Sequence, residues 1–148
     1  MRTIKFRGQR IDNGEWVYGF LYMLPLPTGV GCMILTSDNT HEDNSIEPEY
    51  HLAFTLWVDL FPVKPETVGQ YTEQKDKNSR EIYDGDILRN IDGLKRVGNE
   101  WIDNVHIIPV EYKEAGFNIS SLSKVIKATE VIGNIYDNPG LLNKNKAI

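Results

Sequence analysis

The chain has 148 residues, enough for one large domain or two small ones, and its apolar fraction of 41% suffices for a hydrophobic core. A single cysteine excludes an intramolecular disulfide framework, and no apolar run approaches the length of about 18 residues that a membrane-spanning helix needs. The N-terminus shows no signal-peptide pattern, so we expect a soluble, cytoplasmic protein without a membrane partner.

The net charge of −5 is distributed unevenly along the chain. Residues 1–10 carry four cations and no acid, whereas residues 11–63 carry eight acids and neither lysine nor arginine. Such asymmetry is typical either of a charged interaction face or of ordinary solvent-facing positions. The four cations are Arg2, Lys5, Arg7 and Arg10.

An N-terminal β-hairpin is the first predicted element. Residues 2–11 form one strand, Asn13-Gly14 supplies the turn because both residues tolerate positive φ, and residues 15–24 form the returning strand. The returning strand is apolar at both odd and even positions, so we expect both of its faces to be buried, by this chain or by another subunit. Its candidate interaction residues are Trp16, Tyr18, Phe20 and Tyr22.

Five segments follow the hairpin. Residues 25–29 contain two prolines and a glycine that break the strand, and residues 30–36 begin another. Residues 37–49 are polar and acidic and predict a long exposed loop, while residues 51–61 are apolar and either helical or extended. The two prolines of residues 62–67 interrupt any ladder, so this segment is the best candidate for a domain boundary.

Beyond that segment, short apolar runs alternate with turn signals, a pattern typical of a small barrel or sandwich. We therefore predict a mostly β protein, with an N-terminal β-hairpin subdomain over residues 1–62 and a small β-barrel subdomain over residues 63–148 that ends in a short turn or helix. Residues 122–128 can form one or two helical turns. The predicted strands are 67–72, 81–83, 86–91, 105–113, 116–120 and 129–136, and the turn signals include Asp92-Gly93, Gly98-Asn99 and Asp103-Asn104.

The turn Asp84-Gly85-Asp86 is the strongest local motif. Gly85 can adopt a positive φ and the flanking carboxylates can accept backbone N–H groups, which predicts a structural turn. Alternatively, Asp76, Asp84 and Asp86 form a carboxylate site for a metal or for acid–base chemistry. The histidines are scattered, and the sequence has no phosphate loop, dinucleotide fingerprint or nucleophile elbow. We predict no catalytic residue, no metal ligand and no cofactor.

A nucleic-acid-binding barrel is the alternative function. The cations of residues 1–10 would line a groove in which bases stack on the aromatic side chains of the hairpin. The acidic stretch that follows and the negative net charge oppose this interpretation, because phosphate contacts supply most of the non-specific affinity for nucleic acid.

Six blocks of the sequence form a recognisable series. They are Phe6-Arg7-Gly8, Gly14-x-Trp16-Val17-Tyr18-Gly19, residues 65–72, Asp76-x-Asn78, Ile82-Tyr83-x-Gly85-Asp86-Ile87 and residues 131–139. In this order they resemble the YopX family of phage and prophage proteins, with residues 25–60 and 92–128 as variable segments. Two positions depart from the family pattern. Ser79 replaces a glycine, which weakens the case for a tight turn with positive φ, and Gly140 replaces an acidic residue.

The resemblance implies a mostly β protein with a small SH3-like barrel, encoded by a bacteriophage or prophage and able to form homo-oligomers. No catalytic residue is established for the family, so none is carried over to this chain. We expect the positions of the family motifs to be structural; they are Gly69, Tyr71, Asp76, Tyr83, Gly85, Asp86, Gly133, Asn134 and Tyr136.

These observations together favour a non-enzymatic accessory protein. Its expected partner is a second copy of the chain, another phage or host protein, or both. In the second subdomain, β-propensity and alternation place several side chains in or near the core without a ligand. They are Tyr71, Tyr83, Ile87, Val131, Ile132, Ile135 and Tyr136.

Overall fold

The computed structural model describes residues 4–27, 29–36, 59–113, 116–118 and 128–146. Arg2, the predicted acidic loop, most of the apolar stretch 51–61 and most of the predicted helical segment 122–128 lie outside the described residues. The chain divides into two compact units. The N-terminal unit covers Lys5–Val68, and the C-terminal unit covers Gly69–Ile148 together with the residues up to Ile4.

The structure is mostly β, as the sequence predicts. Apart from two 3-10 helices, Pro65–Thr67 and Pro139–Lys146, the regular elements of the described chain are strands, and their pairs are antiparallel. None of the described helices is long and apolar enough to cross a membrane. Within each unit, the named strand pairs of the described chain do not close a barrel, so the predicted SH3-like barrel stays a prediction.

Four strands build the sheet of the N-terminal unit, in the order β4-β3-β2-β1. The turn between β1 and β2 forms where the Asn-Gly signal predicts it, since Gly14 has a φ of +75° and donates its N–H to the carbonyl of Arg10. The strands are β1 (Phe6–Gln9), β2 (Trp16–Leu26), β3 (Gly29–Thr36) and β4 (Asp59–Val63).

The predicted break at residues 25–29 is present, but it is shorter than predicted. β2 continues through Pro25, which is paired with Val30, and Leu26 is paired with Gly29. β1 pairs with β2 only as far as Gly19, so the outer half of β2 has one partner strand among the described residues. A proline is tolerated in such a strand because its missing N–H can point away from the ladder.

The core of the N-terminal unit lies on one side of this sheet. Ile34 and Val63 are fully buried there. Gly8 packs so closely that a Cβ atom at this position would come within 2.9 Å of the Val63 side chain. A β-bridge joins Arg10 to Val63 and links the end of β1 to β4. This close contact leaves no room for a side chain at position 8.

Seven strands build the C-terminal unit. They form a three-stranded sheet in the order β11-β7-β8, together with the pairs β5-β6 and β9-β10. Here β7 and β8 make one long hairpin whose turn lies at the predicted Gly98-Asn99 signal. The strands are β5 (Gly69–Lys75), β6 (Glu81–Tyr83), β7 (Asp86–Val97), β8 (Glu100–Pro109), β9 (Tyr112–Lys113), β10 (Gly116–Phe117) and β11 (Thr129–Asn134).

Two predicted turns within this hairpin are wrong. Asp92-Gly93 and Asp103-Asn104 both lie inside strands. The register shifts between Ile91 and Leu94, and Gly93 has a φ of +72°. These features define a β-bulge, in which glycine supplies the left-handed conformation while the strand continues.

The core of the C-terminal unit is small. Ile82, Leu88, Val110 and Val131 form its buried cluster, with Phe117 packed against it. Of the predicted core residues, four are buried and three are half-buried. The buried ones are Tyr71, Tyr83, Ile87 and Val131, and the half-buried ones are Ile132, Ile135 and Tyr136.

Candidate functional site

The outward side of the N-terminal sheet carries an aromatic surface. Tyr18, Phe20 and Tyr22 alternate along β2, so their side chains leave the same face of the strand. They are between 41% and 59% exposed. Within the part of the molecule that the structure describes, the chain therefore leaves these three rings about half open to solvent.

Neighbouring strands extend this surface with aliphatic side chains. Phe20 lies opposite Leu35 and Tyr22 lies opposite Met33, and directly opposite residues share a face. Leu60 lies opposite Leu35 on the other side and is exposed. We call this surface the aromatic face; it consists of Tyr18, Phe20, Tyr22, Met33, Leu35 and Leu60. Arg7 lies opposite Tyr18 on the same face, but it is buried.

Trp16, the fourth predicted interaction residue, has a different environment. It is half-buried, and the guanidinium carbon of Arg7 lies 4.8 Å from the centroid of a Trp16 ring. Arg7 itself is 3% exposed. This cation–π contact stabilises the sheet locally, so we place Trp16 at the border of the aromatic face.

The structure describes three of the four predicted cations. Arg7 is buried, and Arg10 donates its Nε–H to Asp12 at 2.9 Å. That hydrogen bond raises the pKa of Arg10 and lowers the pKa of the Asp12 carboxyl. Lys5 is half-buried, and Arg2 lies outside the described residues. Two of the three described cations are therefore buried or ion-paired, which weakens the case for contacts with a nucleic acid backbone.

An apolar cavity of about 400 Å³ opens in the same unit. It is bounded by the ends of β2, β3 and β4 and contains no charged side chain in its lining. Cys32 borders it and is half-buried. The lining includes Ile11, Leu24, Leu26, Cys32, Met33 and Pro62. No local pattern in the sequence predicts this cavity, because its lining depends on how three strands pack together.

The carboxylate of Asp76 serves the backbone of the C-terminal unit. One carboxylate oxygen accepts the N–H groups of Asn78 at 2.8 Å and Arg80 at 2.9 Å. The other accepts the N–H of Val131 at 3.0 Å, 55 residues away. This side chain holds the β5-β6 turn and attaches it to β11, and Ser79 within the turn has a φ of +65°. The positive φ that the serine at position 79 put in doubt is therefore present.

Asp86 and Gly85 also serve backbone groups. A carboxylate oxygen of Asp86, which is 1% exposed, accepts the N–H of Tyr83 at 2.8 Å. Gly85 has a φ of +81°, and its N–H and carbonyl bond Val110 and Ile135 respectively. The carboxylates of Asp76 and Asp86 are thus both buried, and both accept hydrogen bonds from backbone N–H groups. The described residues contain no group of three His, Cys, Asp or Glu side chains suited to hold a metal ion.

A pair of tyrosines packs beside this turn. The rings of Tyr71 and Tyr83 lie 5.5 Å apart between centroids, and the Tyr83 hydroxyl donates to Glu81 at 2.6 Å. Burial raises the pKa of Tyr71, with a smaller contribution from the charge of Glu81. Gly69 lies close to the turn, where a Cβ atom would come within 2.5 Å of the carbonyl oxygen of Asp84.

The last family block closes the C-terminal unit in the same way. The side-chain oxygen of Asn134 accepts the N–H groups of Tyr136 at 3.0 Å and Asp137 at 2.8 Å. A Cβ atom on Gly133 would come within 2.5 Å of the Asn138 side-chain oxygen. The conformations at these positions satisfy turn backbone groups and close packing, and they require no ligand.

Comparisons with known proteins identify relatives of the chain. A family model described as YopX protein matches residues 5–143. Among solved structures, the crystal structure of protein EF1440 from Enterococcus faecalis is similar, with 20% identity, a TM-score of 0.47, and coverage of 96% of this chain and 99% of that chain. No curated protein matches this chain.

Proposed function

We propose that this chain, which belongs to the YopX family, is a non-enzymatic protein that assembles with copies of itself through the aromatic face. The family resemblance inferred from the sequence blocks is confirmed by the match. The activity is our proposal, and it rests on the exposure of Tyr18, Phe20 and Tyr22 along one face of β2.

The composition of the aromatic face favours a protein partner. The centres of protein interfaces are enriched in aromatic residues and methionine and depleted in charge, which matches the six residues of this face. An apolar patch that spans three strands is unfavourable in water, because each Å² of apolar area left exposed forgoes about 25 cal/mol of transfer free energy.

The exposed area is sufficient for the centre of an interface. A tyrosine or phenylalanine buries roughly 150–250 Å² when it is fully covered, so three half-exposed rings offer on the order of 300 Å². A standard interface buries about 800 Å² on each partner. The aromatic face therefore supplies the energetically dominant centre, with a polar rim around it.

A second copy is the occupant that we favour. The exposed part of the aromatic face is apolar, and Arg7 on the same side is already buried within the chain. Two such faces can therefore pack about a two-fold axis without burying a further exposed charge. Another phage or host protein with an apolar surface of similar size is the alternative occupant.

A non-enzymatic role agrees with the placement of the carboxylates. Asp76 and Asp86 are buried and accept hydrogen bonds from backbone N–H groups. These contacts stabilise turns of the chain and are structural. We also propose, from the family resemblance, that the protein is encoded by a bacteriophage or prophage and acts in the bacterial cytoplasm as an accessory protein.

Substitution of the aromatic face tests this proposal. Phe20→Ser and Tyr22→Ser should each raise the dissociation constant of the assembly by at least about tenfold, since each removes roughly 2 kcal/mol of apolar burial from every copy. Tyr112→Ser is the matched control, because Tyr112 is equally exposed but belongs to the C-terminal unit. Equal assembly of both variants and the control would contradict the proposal.

Nucleic acid remains the alternative partner. In that case a fluorescent single strand should bind wild-type protein at low salt and dissociate as salt rises. The burial of Arg7 and the ion pair of Arg10 lead us to expect no such binding. Binding that is lost in the Phe20→Ser variant would assign the aromatic face to base stacking and overturn the self-assembly proposal.

A further inference from the structure

The hairpin of β7 and β8 extends beyond its own sheet. β11 pairs with β7 over residues 86–90, whereas β7 continues to Val97. Residues 91–97 and 100–105 are paired with each other and with no other strand of the described chain. We call this two-stranded ribbon the arm. A two-stranded ribbon is marginally stable in water unless something packs on it.

Both faces of the arm carry large apolar side chains. Trp101, the most exposed of them, is 66% exposed, and Leu94 and Val105 are exposed on the same face. Val97 and Ile102 are exposed on the opposite face. The faces follow from the pairing, in which alternate residues of each strand point to opposite sides.

The first face of the arm has a self-complementary charge pattern. Leu94 lies opposite Asp103, and Arg96 lies opposite Trp101, two residues further towards the tip. The two apolar side chains therefore occupy one diagonal of this face and two opposite charges occupy the other. Arg96 donates its Nε–H to the carbonyl of Gly98, and within the described chain neither charged group is in an ion pair.

The second face repeats the pattern. Lys95 lies opposite Ile102, and Val97 lies opposite Glu100. Again one diagonal is apolar and the other joins a cation to a carboxylate. Neither Lys95 nor Glu100 has an ion-pair partner among the described residues. The basic side chains of the arm thus belong to β7, and the acidic ones nearest the tip belong to β8.

We propose that the arm binds the arm of a second copy of this chain. A two-fold axis in the plane of the first face, along the diagonal that joins Leu94 and Trp101, places one arm face to face on the other. It brings Arg96 of one copy beside Asp103 of the partner subunit, and the reciprocal pair forms by symmetry. Leu94 and Trp101 then lie in the contact, where their apolar area leaves water.

The mixed charges of the arm select this occupant over nucleic acid. A ribbon that reads phosphates carries an excess of cations, whereas this arm places Glu100 and Asp103 beside its two basic residues. A second copy supplies the opposite charge at each position. The exposed apolar area on one face, on the order of 300 Å², is below the roughly 800 Å² of a standard interface, so the arm contact should be weak and dependent on concentration.

The arm extends the proposed self-assembly to a second surface, and the two surfaces can be tested separately. A charge swap isolates the arm. In Arg96→Asp and in Asp103→Arg, like charges face each other across the two-fold axis, so each variant should raise the dissociation constant measured by sedimentation equilibrium by about tenfold. The double variant Arg96→Asp/Asp103→Arg restores opposite charges and should return to within about threefold of wild type.

The swap should be measured in two backgrounds, wild type and Phe20→Ser, with circular dichroism as the check on folding. The expected result in the Phe20→Ser background is a weak self-association that each arm variant reduces and the double variant restores. Single variants without effect, or a double variant no better than the singles, would overturn the arm proposal. A Phe20→Ser protein that assembles like wild type would instead overturn the role of the aromatic face and leave the arm intact.

One further outcome separates the possible partners. Binding of a labelled oligonucleotide by the wild-type protein is one possible result. If Arg96→Asp abolishes that binding and Asp103→Arg strengthens it, then the arm contacts nucleic acid. This result would overturn the proposed arm–arm contact. Trp101→Ser provides a second variant of the arm, because it removes apolar area without changing charge. It should weaken self-association in both backgrounds, and unchanged self-association would contradict the proposal.

Discussion

Replacement of Asp76 by alanine should destabilise the C-terminal unit more than any other change to a single charged residue there. The carboxylate is 6% exposed and accepts three backbone N–H groups, from Asn78, Arg80 and Val131, at 2.8, 2.9 and 3.0 Å. Alanine would leave all three donors without this acceptor. The N–H of Val131 is the most costly to lose, because Val131 is buried and water cannot replace the bond.

The magnitude follows from these exposures. A buried donor that loses a charged acceptor costs about 1–3 kcal/mol, and a donor on an exposed turn that regains water costs about 0.5–1.5 kcal/mol. One bond of the first kind and two of the second give an expected loss of about 2–6 kcal/mol for Asp76→Ala. Such a loss is a large part of the roughly 5–15 kcal/mol that stabilises a typical domain.

Asparagine at the same position separates shape from hydrogen bonding. Asp76→Asn keeps an oxygen for Asn78 and Arg80 but turns an amide N–H₂ group towards the N–H of Val131. Two donors then face each other, and we expect a loss of about 1–3 kcal/mol. Urea denaturation followed by circular dichroism measures both variants, and amide hydrogen exchange at Val131 reports the local effect.

An exposed acid provides the control for this pair of variants. Glu66→Ala changes a solvent-facing side chain and should alter the free energy of unfolding by less than about 0.5 kcal/mol. The reasoning would be refuted if Asp76→Ala cost as little as Glu66→Ala, or if amide exchange at Val131 were unchanged in Asp76→Asn. Either result would mean that the carboxylate is not needed for the structural bonds observed.

Three further predictions concern the same unit. Ser79→Gly should stabilise the fold by about 0.5–1 kcal/mol in urea denaturation, because Ser79 has a φ of +65° that disfavours a side chain; a loss of stability would contradict this. Gly69→Ala should lower the unfolding free energy by about 1–3 kcal/mol, because its Cβ would meet a backbone carbonyl at 2.5 Å, and an unchanged denaturation midpoint would refute the close contact. Hydrogen bonds from Lys77 and Arg89 lower the pKa of Glu130 in the folded state. The ionised Glu130 should therefore stabilise the fold above its unfolded-state pKa, and this stabilisation should be lost as pH falls through the lower folded-state pKa. Glu130→Gln should remove this pH dependence of stability from acid denaturation curves, and an unchanged curve would contradict the prediction.

Local signals in the sequence predicted much of the fold. The turn residues at Asn13-Gly14 and Gly98-Asn99 fix the two hairpins, because few residues tolerate positive φ. Alternation of apolar residues placed Tyr71 and Ile87 in the core. In each case the interaction that decides the structure acts between residues close together in the chain.

The errors arose where distant residues decide the structure. Gly93 reads as a turn, but continuous pairing of β7 with β8 makes it a bulge. Pro25 reads as a strand break, but the β2-β3 hairpin holds it in the ladder. The sequence predicted Arg7 as one of the cations that line a groove, whereas the structure buries Arg7 against Trp16.

The candidate surfaces were predictable to different degrees. The alternation of aromatic residues identified Tyr18, Phe20 and Tyr22 directly. The aliphatic part of the aromatic face was not predictable, because it depends on the register of β3 and β4 against β2. The arm was missed for a related reason: its turn signals divided β7 and β8 into shorter strands, which hid the length of the hairpin.

The native mass of the wild-type protein tests the central claim most directly. Light scattering or sedimentation equilibrium should be performed over about a hundredfold range of concentration, at physiological salt. Self-assembly predicts a mass that rises to a multiple of 16.9 kDa and falls back towards the single chain in the Phe20→Ser variant. A wild-type mass of 16.9 kDa at every concentration would contradict the account, because neither the aromatic face nor the arm would then join copies of this chain.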